Sequence, residues 1–414
     1  MNSRALLLPL ISPALASAAP VDVYWDNSGT SWTNLSAWSL SGTAVTPDPA
    51  VVPGGNHQAH FKYSGYTGPT VSLNGDQGIH GLRFDAGNGI TTFKGGGTTR
   101  SLKLGAGGIE IAAEYGAVDL GSASAGQGVK VFVSEPQTWS VLSGKWIRVE
   151  NDLSLGPNRL TIAGRGDVLF RGTVSGGGSL VKTGGGQVAL ETAGSYSGDT
   201  RILGGSLRMW VDSLSDTATL ELSTGTYAEL LYTGTDTVGM LTFDGVPQAP
   251  GTWGALDSAA DHKTDRIRGT GLVRVPAAVS FAAWQTSHGG AAVAGVQPGR
   301  LLEYALDGAA PAGKSRQEIA EIGGTRHLVL TLAVANGVVF TGTGPLVAEG
   351  ETGYVIEGSE SPAGPFQAGV AELFPALADG LPALTPGWSY RTFYLVDAVG
   401  TAGGGAFLRC RVTR

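Results

Sequence analysis

From about Val21 to Val275 the chain consists of short runs of alternating apolar residues, each cut off by glycine. Val71-Ser72-Leu73, Leu102-Lys103-Leu104, Ile109-Glu110-Ile111, Leu160-Thr161-Ile162 and Leu220-Glu221-Leu222 all obey a period of two. Alternation sends successive side chains to opposite faces, so each run is a strand with one apolar face, and a helical period is ruled out. The glycine connectors supply the backbone freedom that tight corners need. Of 414 residues, 66 are Gly, about twice the ordinary share of roughly 7%. The chain is nevertheless 42% hydrophobic, too apolar for a disordered low-complexity segment, so a packed core is expected.

The strands recur about every 8 to 12 residues, a spacing that suits either a β-sandwich or a β-solenoid. Their shortness, and the persistence of one pattern over about 250 residues, favour stacked coils, because two packed sheets need longer strands. The expected fold is all-β: a right-handed parallel β-helix filled by Leu, Val, Ile and Phe, then a short helical linker and a small C-terminal β-sandwich-like domain.

The stretch Gly176 to Met209, GGGSLVKTGGGQVALETAGSYSGDTRILGGSLRM, carries Gly178, Leu180, Lys182, Gly184, Gly186, Val188, Leu190, Tyr196, Gly198, Thr200, Gly204, Gly205 and Leu207. In these residues it resembles the autotransporter-associated β-strand repeat (PATR-type). Two flanking features extend the resemblance to secreted bacterial proteins built around such repeats: an opening with Trp25, Asp26, Trp32 and Trp38, and a closing Pro250 to Val275 segment. The resemblance implies a surface or extracellular setting. Read physically, Gly184 and Gly186 turn a corner where a Cβ would clash. Tyr196 is expected to cover a coil edge with its hydroxyl in water, and Thr200 to stack on like residues of neighbouring coils.

The first 20 residues, MNSRALLLPLISPALASAAP, place Arg4 before an apolar run and end in small residues. This is the pattern of a signal peptide over residues 1–18, cut near Ala18. The solenoid is expected over 19–276, with its clearest repeat at 176–209. Pro276 marks a change of character: AVSFAAWQTSHG and GRLLEYALDGAAP read as short helices, giving a helical linker over 277–312. Strands then resume at His327 to Val334, Gly353 to Gly358, Tyr390 to Val396 and Ala406 to Thr413 in a β-domain over 313–414. That tail, with Leu301 to Leu306, Tyr354 to Ser359 and Phe407 to Val412, resembles the C-terminal module of exported proteins of Verrucomicrobia-like bacteria. Where such proteins carry an Asp-rich calcium loop this chain has GGAAVAGVQPG at Gly289 to Gly299, without a carboxylate, so no calcium is expected. The tail is too short and loop-rich to be a membrane translocator barrel.

A net charge of −7 with no basic block argues against nucleic acid, and no later segment is apolar enough to span a membrane as a helix. The lone Cys410 excludes an intrachain disulfide framework and reads as a buried strand residue. His57 and His60, with Asp76 or His80, do not follow a known metal-ligand spacing and read as exposed loop residues. Asp257, Asp261, His262 and Asp265 form the densest ionisable group, in a polar loop near the solenoid's end; a glycosidase would need two carboxyls facing across a groove. Gly95 to Arg100 and Gly105 to Gly108 lack the Gly-Lys-Ser/Thr of a phosphate loop and read as strand corners. Asn34-Leu35-Ser36 has the form of a glycosylation acceptor. Trp25, Trp32 and Trp38 are expected to cap the first coil, the alternative being a carbohydrate-stacking platform. No catalytic, cofactor-binding or metal-binding residue is assigned. A secreted or cell-surface structural or adhesive repeat protein is expected, with extracellular polysaccharide or other surface proteins as partners. The alternative is a carbohydrate-binding or polysaccharide-degrading parallel β-helix.

Overall fold

The computed structural model describes residues 19–414 apart from 62–68, 86–88, 113–115, 278, 282, 285–300, 302–303, 308–313, 350–351, 375, 383, 400–405 and 414. The expected signal segment at 1–18 and the GGAAVAGVQPG stretch lie outside the described residues.

The alternating runs form a β-solenoid of about eight turns. One wall is an all-parallel sheet of nine strands, from Thr70–Ser72 through Asp167–Phe170, Gln187–Leu190 and Ser206–Met209 to Ile267–Gly269. Two further walls belong to a single branched sheet, joined through the long strand Arg100–Ile111, whose first half pairs with Val129–Val133 and whose second half pairs with Gln137–Val141. Leu160, Leu180, Thr200 and Leu220 lie directly opposite one another on successive coils, so a coil here is 20 residues long. The Gly176 to Met209 stretch therefore exceeds one coil. It holds Leu180–Lys182, Gln187–Leu190, Ser195–Tyr196, Thr200–Ile202 and Ser206–Met209, the last two lying on the first two in register.

Inward side chains from all walls fuse into one core that includes Leu82, Val131, Ile162, Phe170, Leu180, Leu207 and Leu222. The coils approach closely at the corners. A Cβ on Gly184 would stand 2.4 Å from the Gly164 carbonyl oxygen, and one on Gly186 would stand 1.9 Å from that of Gly166. Gly184 also has a φ of +72°. Lys182 is fully buried beside this corner, its ammonium donating to the carbonyls of Gly164 (3.3 Å), Thr183 (2.5 Å) and Gly184 (2.9 Å). Outward charges pair with the residue directly opposite on an adjacent coil: Arg148 with Asp119 at 2.7 Å, Arg201 with Glu221 at 2.7 Å, and Arg208 with Glu229.

Two local expectations are corrected. Tyr196 is buried, and its hydroxyl bonds Thr200 Oγ1 at 2.6 Å instead of reaching water. Thr200 has Leu180 and Leu220 as cross-coil neighbours, so no threonine stack exists there; its hydroxyl is spent on Tyr196.

The first coil is closed by aromatic rings. Trp25 and Trp38 meet edge to face at 4.9 Å, Trp32 and Trp38 at 4.8 Å, and Phe61 stacks on Phe84 at 4.8 Å. At the other end the parallel pattern gives way to a four-stranded sheet in which Leu272–Val275 runs antiparallel to Gly251–Gly254.

The tail forms two antiparallel sheets over a shared core of Val334, Tyr354, Ile356, Phe393, Leu395 and Leu408. One contains Ser315–Ile322, Thr325–Ala335, Trp388–Leu395 and Val370–Leu373; the other contains Leu346–Ala348, Gly353–Ser359 and Phe407–Thr413. The helical linker over 277–312 is not supported: almost none of the described residues is helical. Much of that range lies outside the described residues. In the rest, the helical residues Phe281, Trp284, Leu301 and Tyr304 pack with Trp388 of the tail, so these apolar residues build a core and not a spacer.

Candidate functional site

The residues singled out in the sequence are placed apart. His57 and His60 are in the strand His57–Phe61, not in an exposed loop. His57 is buried and its Nδ1 accepts the Gly54 N–H at 3.1 Å. His60 bridges Asp85 (2.7 Å) and Asp22 (3.1 Å), and Arg83 joins the row through Asp85 at 2.6 Å and Glu110 at 3.1 Å. Burial pulls the His60 imidazolium down, but its hydrogen bonds to the two carboxylates outweigh that and leave its pKa above the ordinary value. Asp76 is elsewhere, accepting the Ser101 N–H at 2.9 Å, and His80 lies against Gly107. Among the described residues no group of three or more His, Cys, Asp or Glu is arranged to hold a metal ion.

Asp257, Asp261 and Asp265 are all exposed. Asp261 accepts both the N–H and the hydroxyl of Thr252, at 2.9 and 2.8 Å, and these bonds hold its pKa below the usual range. His262 stacks on Trp253 at 4.5 Å. This loop is therefore braced, with the Asp261 carboxylate spent on Thr252. Gly105 to Gly108 lie inside the strand Arg100–Ile111 rather than at a free corner. Asn34 Oδ1 accepts the Ser36 N–H at 3.2 Å and caps a single 3-10 turn, Leu35–Ala37. Trp25, Trp32 and Trp38 are at most 1% exposed, which removes all three as a sugar platform. Cys410 is half-buried in a strand opposite Ile356, and burial pushes its thiol up to about 12.

What the fold does bring together is a cleft of about 190 Å³ between the solenoid wall and the tail. Asp199, in the corner before Thr200–Ile202, lines one side; Asp379, Pro382 and Tyr390 line the other. Asp199 Oδ1 accepts the Thr219 N–H of the next coil at 2.7 Å. The loop bearing Asp379 is held by Arg316, which donates to the carbonyls of Asp379 (2.8 Å) and Leu377 (2.6 Å), and by the Tyr390 hydroxyl on Pro382 O at 2.8 Å. Burial, opposed by the Thr219 bond and reinforced by Asp379, raises the Asp199 carboxyl to about 6. Burial also raises Asp379, against Arg159 and Arg316. Two carboxyls facing one cleft, one of them poised near pH 6, have the chemistry of a proton donor and acceptor. The sequence reading missed this pair because its members are far apart in the chain; the Tyr-x-Gly-x-Thr corner that contains Asp199 was visible, but its neighbour was not.

A 135-residue part of the chain, 32% of it, is 30% identical to the Neisserial autotransporter lipoprotein NalP in two strains of Neisseria meningitidis serogroup B. The matched segment spans only 12% of the length of those relatives. No family model matches the chain, and no solved structure does. The partial similarity and the β-solenoid together fit an autotransporter-type passenger segment.

Proposed function

We propose that this chain is a secreted or cell-surface repeat protein, structural or adhesive rather than catalytic. Its solenoid belongs to the autotransporter-associated repeat type, of the kind carried by exported proteins of Verrucomicrobia-like bacteria. In this reading residues 1–18 are a cleaved export signal, 19–276 the solenoid rod and 313–414 an end module. The observation that carries it is the use of outward charges: Arg148, Arg201 and Arg208 each spend their charge on the facing carboxylate of an adjacent coil, which stiffens a rod and leaves little free for chemistry. The similarity to an autotransporter lipoprotein supports the surface setting. Expression of the full chain in a Gram-negative host, followed by N-terminal sequencing and protease shaving of whole cells, is the test. A mature chain starting at Ala19 and removed by external protease is expected; an uncleaved chain confined to the cytoplasm refutes the reading.

The Asp199–Asp379 cleft favours a second reading, a polysaccharide-cleaving β-helix. Turnover of any member of a polysaccharide panel, abolished in both Asp199→Asn and Asp379→Asn, would replace the first reading by the second.

A further inference from the structure

The corner that follows each strand of the nine-stranded wall offers one outward position per coil. Gly121 holds it after the strand Ala117–Leu120, and on the next three coils Glu150, Arg171 and Glu191 hold it in turn, their N–H groups donating to Leu120, Val149 and Phe170; these three form a charge ladder, Glu150 to Arg171 at 3.3 Å and Arg171 to Glu191 at 3.3 Å. The next two coils break the ladder. Trp210 and Leu231 take the same position, with N–H bonds to Leu190 and Met209, and they are 39% and 40% exposed. An indole and an isobutyl group held in water add no charge pair to a column that carries a paired charge on each of the three preceding coils.

The surroundings match an amphipathic ligand. Trp210 and Leu231 form the floor of an open hollow of about 510 Å³ whose rim carries Asp212, Thr233 and Thr235. All three rim residues are exposed, and none of their side chains hydrogen-bonds to another described residue. The Arg208 guanidinium lies 5.5 Å from the Trp210 ring centroid and is itself paired with Glu229, so it braces the indole from one side.

We infer that Trp210 and Leu231, rimmed by Asp212, Thr233 and Thr235, form a shelf that stacks a neutral pyranose unit of an extracellular polysaccharide. The indole meets the C–H face of the sugar, while the carboxylate and hydroxyls meet its equatorial hydroxyls. A neutral glycan is selected over an acidic one by charge: Asp212 stands on the rim, and the chain carries a net −7. The inference rests on the surface reading above and gives it a ligand class.

The test uses the full mature chain on four insoluble supports: cellulose, chitin, β-1,3-glucan and cross-linked alginate. Retention on at least one neutral support is expected, weakened at least about tenfold by Trp210→Ala and largely kept by Trp210→Tyr, the scale of one lost stacking contact with its buried area. Trp210 is surface-exposed, so an unchanged circular dichroism spectrum confirms that the variant is folded. Three results overturn the inference: no retention on any neutral support, preference for alginate, or retention indifferent to Trp210→Ala. Self-association in light scattering that Trp210→Ala abolishes also overturns it, making the shelf a contact between copies. An inert shelf on a chain that external protease removes from cells leaves the surface reading standing. A glycan-binding shelf on a chain held in the cytoplasm refutes the surface reading alone.

Discussion

Adjacent glycines at one corner separate two roles that the sequence cannot. An alanine Cβ at position 186 would stand 1.9 Å from the Gly166 oxygen and 2.7 Å from its carbon, both in the backbone of the preceding coil. Even a 3.0 Å contact requires the coils to part by about 1.1 Å there, a large fraction of the roughly 4.8 Å between paired strands. The bonds that would stretch are already long: Gly186 N to Gly164 O at 3.4 Å and Ser206 N to Gly186 O at 3.2 Å. Overpacking costs about 1–3 kcal/mol and each lost backbone bond about 1 kcal/mol, so Gly186→Ala is expected to cost about 2–5 kcal/mol. At Gly185 the nearest atom to an added Cβ is Arg165 Cγ at 3.8 Å, so Gly185→Ala is expected to stay within about 0.5 kcal/mol of wild type. Urea unfolding followed by far-ultraviolet circular dichroism gives the difference. Hydrogen exchange at the amides of residues 164–209 localises it, since a solenoid opens coil by coil. Equal stability of the two variants would refute close coil approach as the reason for glycine at 186.

Three further outcomes are expected. His60 has its folded pKa raised above 6.5, so its bonds to Asp85 and Asp22 stabilise the first coils fully below pH 6.5, and that contribution disappears as pH rises through the folded value. Hydrogen-exchange protection of His57–Phe61 should fall over that window in wild type, and His60→Gln should flatten the profile. Asp199 is raised from 3.8 to about 6, so the folded chain holds a proton that the unfolded chain releases; stability should decline as pH rises between those values. Asp199→Asn, which keeps an oxygen for Thr219, should remove that decline in a thermal-unfolding series, and an unaltered decline would assign it to other groups. Trp38 is fully buried and donates its indole N–H to Trp32 O at 2.9 Å, so Trp38→Ala should cost about 3–5 kcal/mol and expose the first coil to proteolysis before the rest.

The wall pattern was legible because alternation is a local property, and the strands found at Leu160–Gly164, Thr219–Leu222 and Thr325–Ala335 sit where period two placed them. The coil length was also written in the chain, in Gly164, Gly184 and Gly204 at 20-residue steps, but the 34-residue motif masked it. In AVSFAAW the apolar cluster without strict alternation signalled the helical turn found at Phe281 and Trp284, but not that these side chains would pack with Trp388 of the tail, a partner more than 100 residues away. The hairpin strand Ser315–Ile322 escaped because it is polar and half exposed, although Gly323-Gly324, with φ of +60° and +82°, is the two-residue turn that joins it to Thr325–Ala335.

The candidate sites escaped for a different reason. In a solenoid a side chain's neighbours are set by register, so the meaning of a charged residue lies one coil away. Arg201 is an inert strut because Glu221 stands opposite, and Asp199, two residues earlier, is perturbed because the tail closes over it. Counting ionisable residues along the sequence therefore singled out Asp257 to Asp265, a group whose three carboxylates are exposed and of which Asp261 is already bound by Thr252. The informative positions are those where a column changes character, from a charge ladder to Trp210 and Leu231, or from an open wall to the cleft at Asp199 and Asp379. On a repeat scaffold, departures from the repeat are where function can be added without loosening the stack, because every conforming position is already committed to its neighbour.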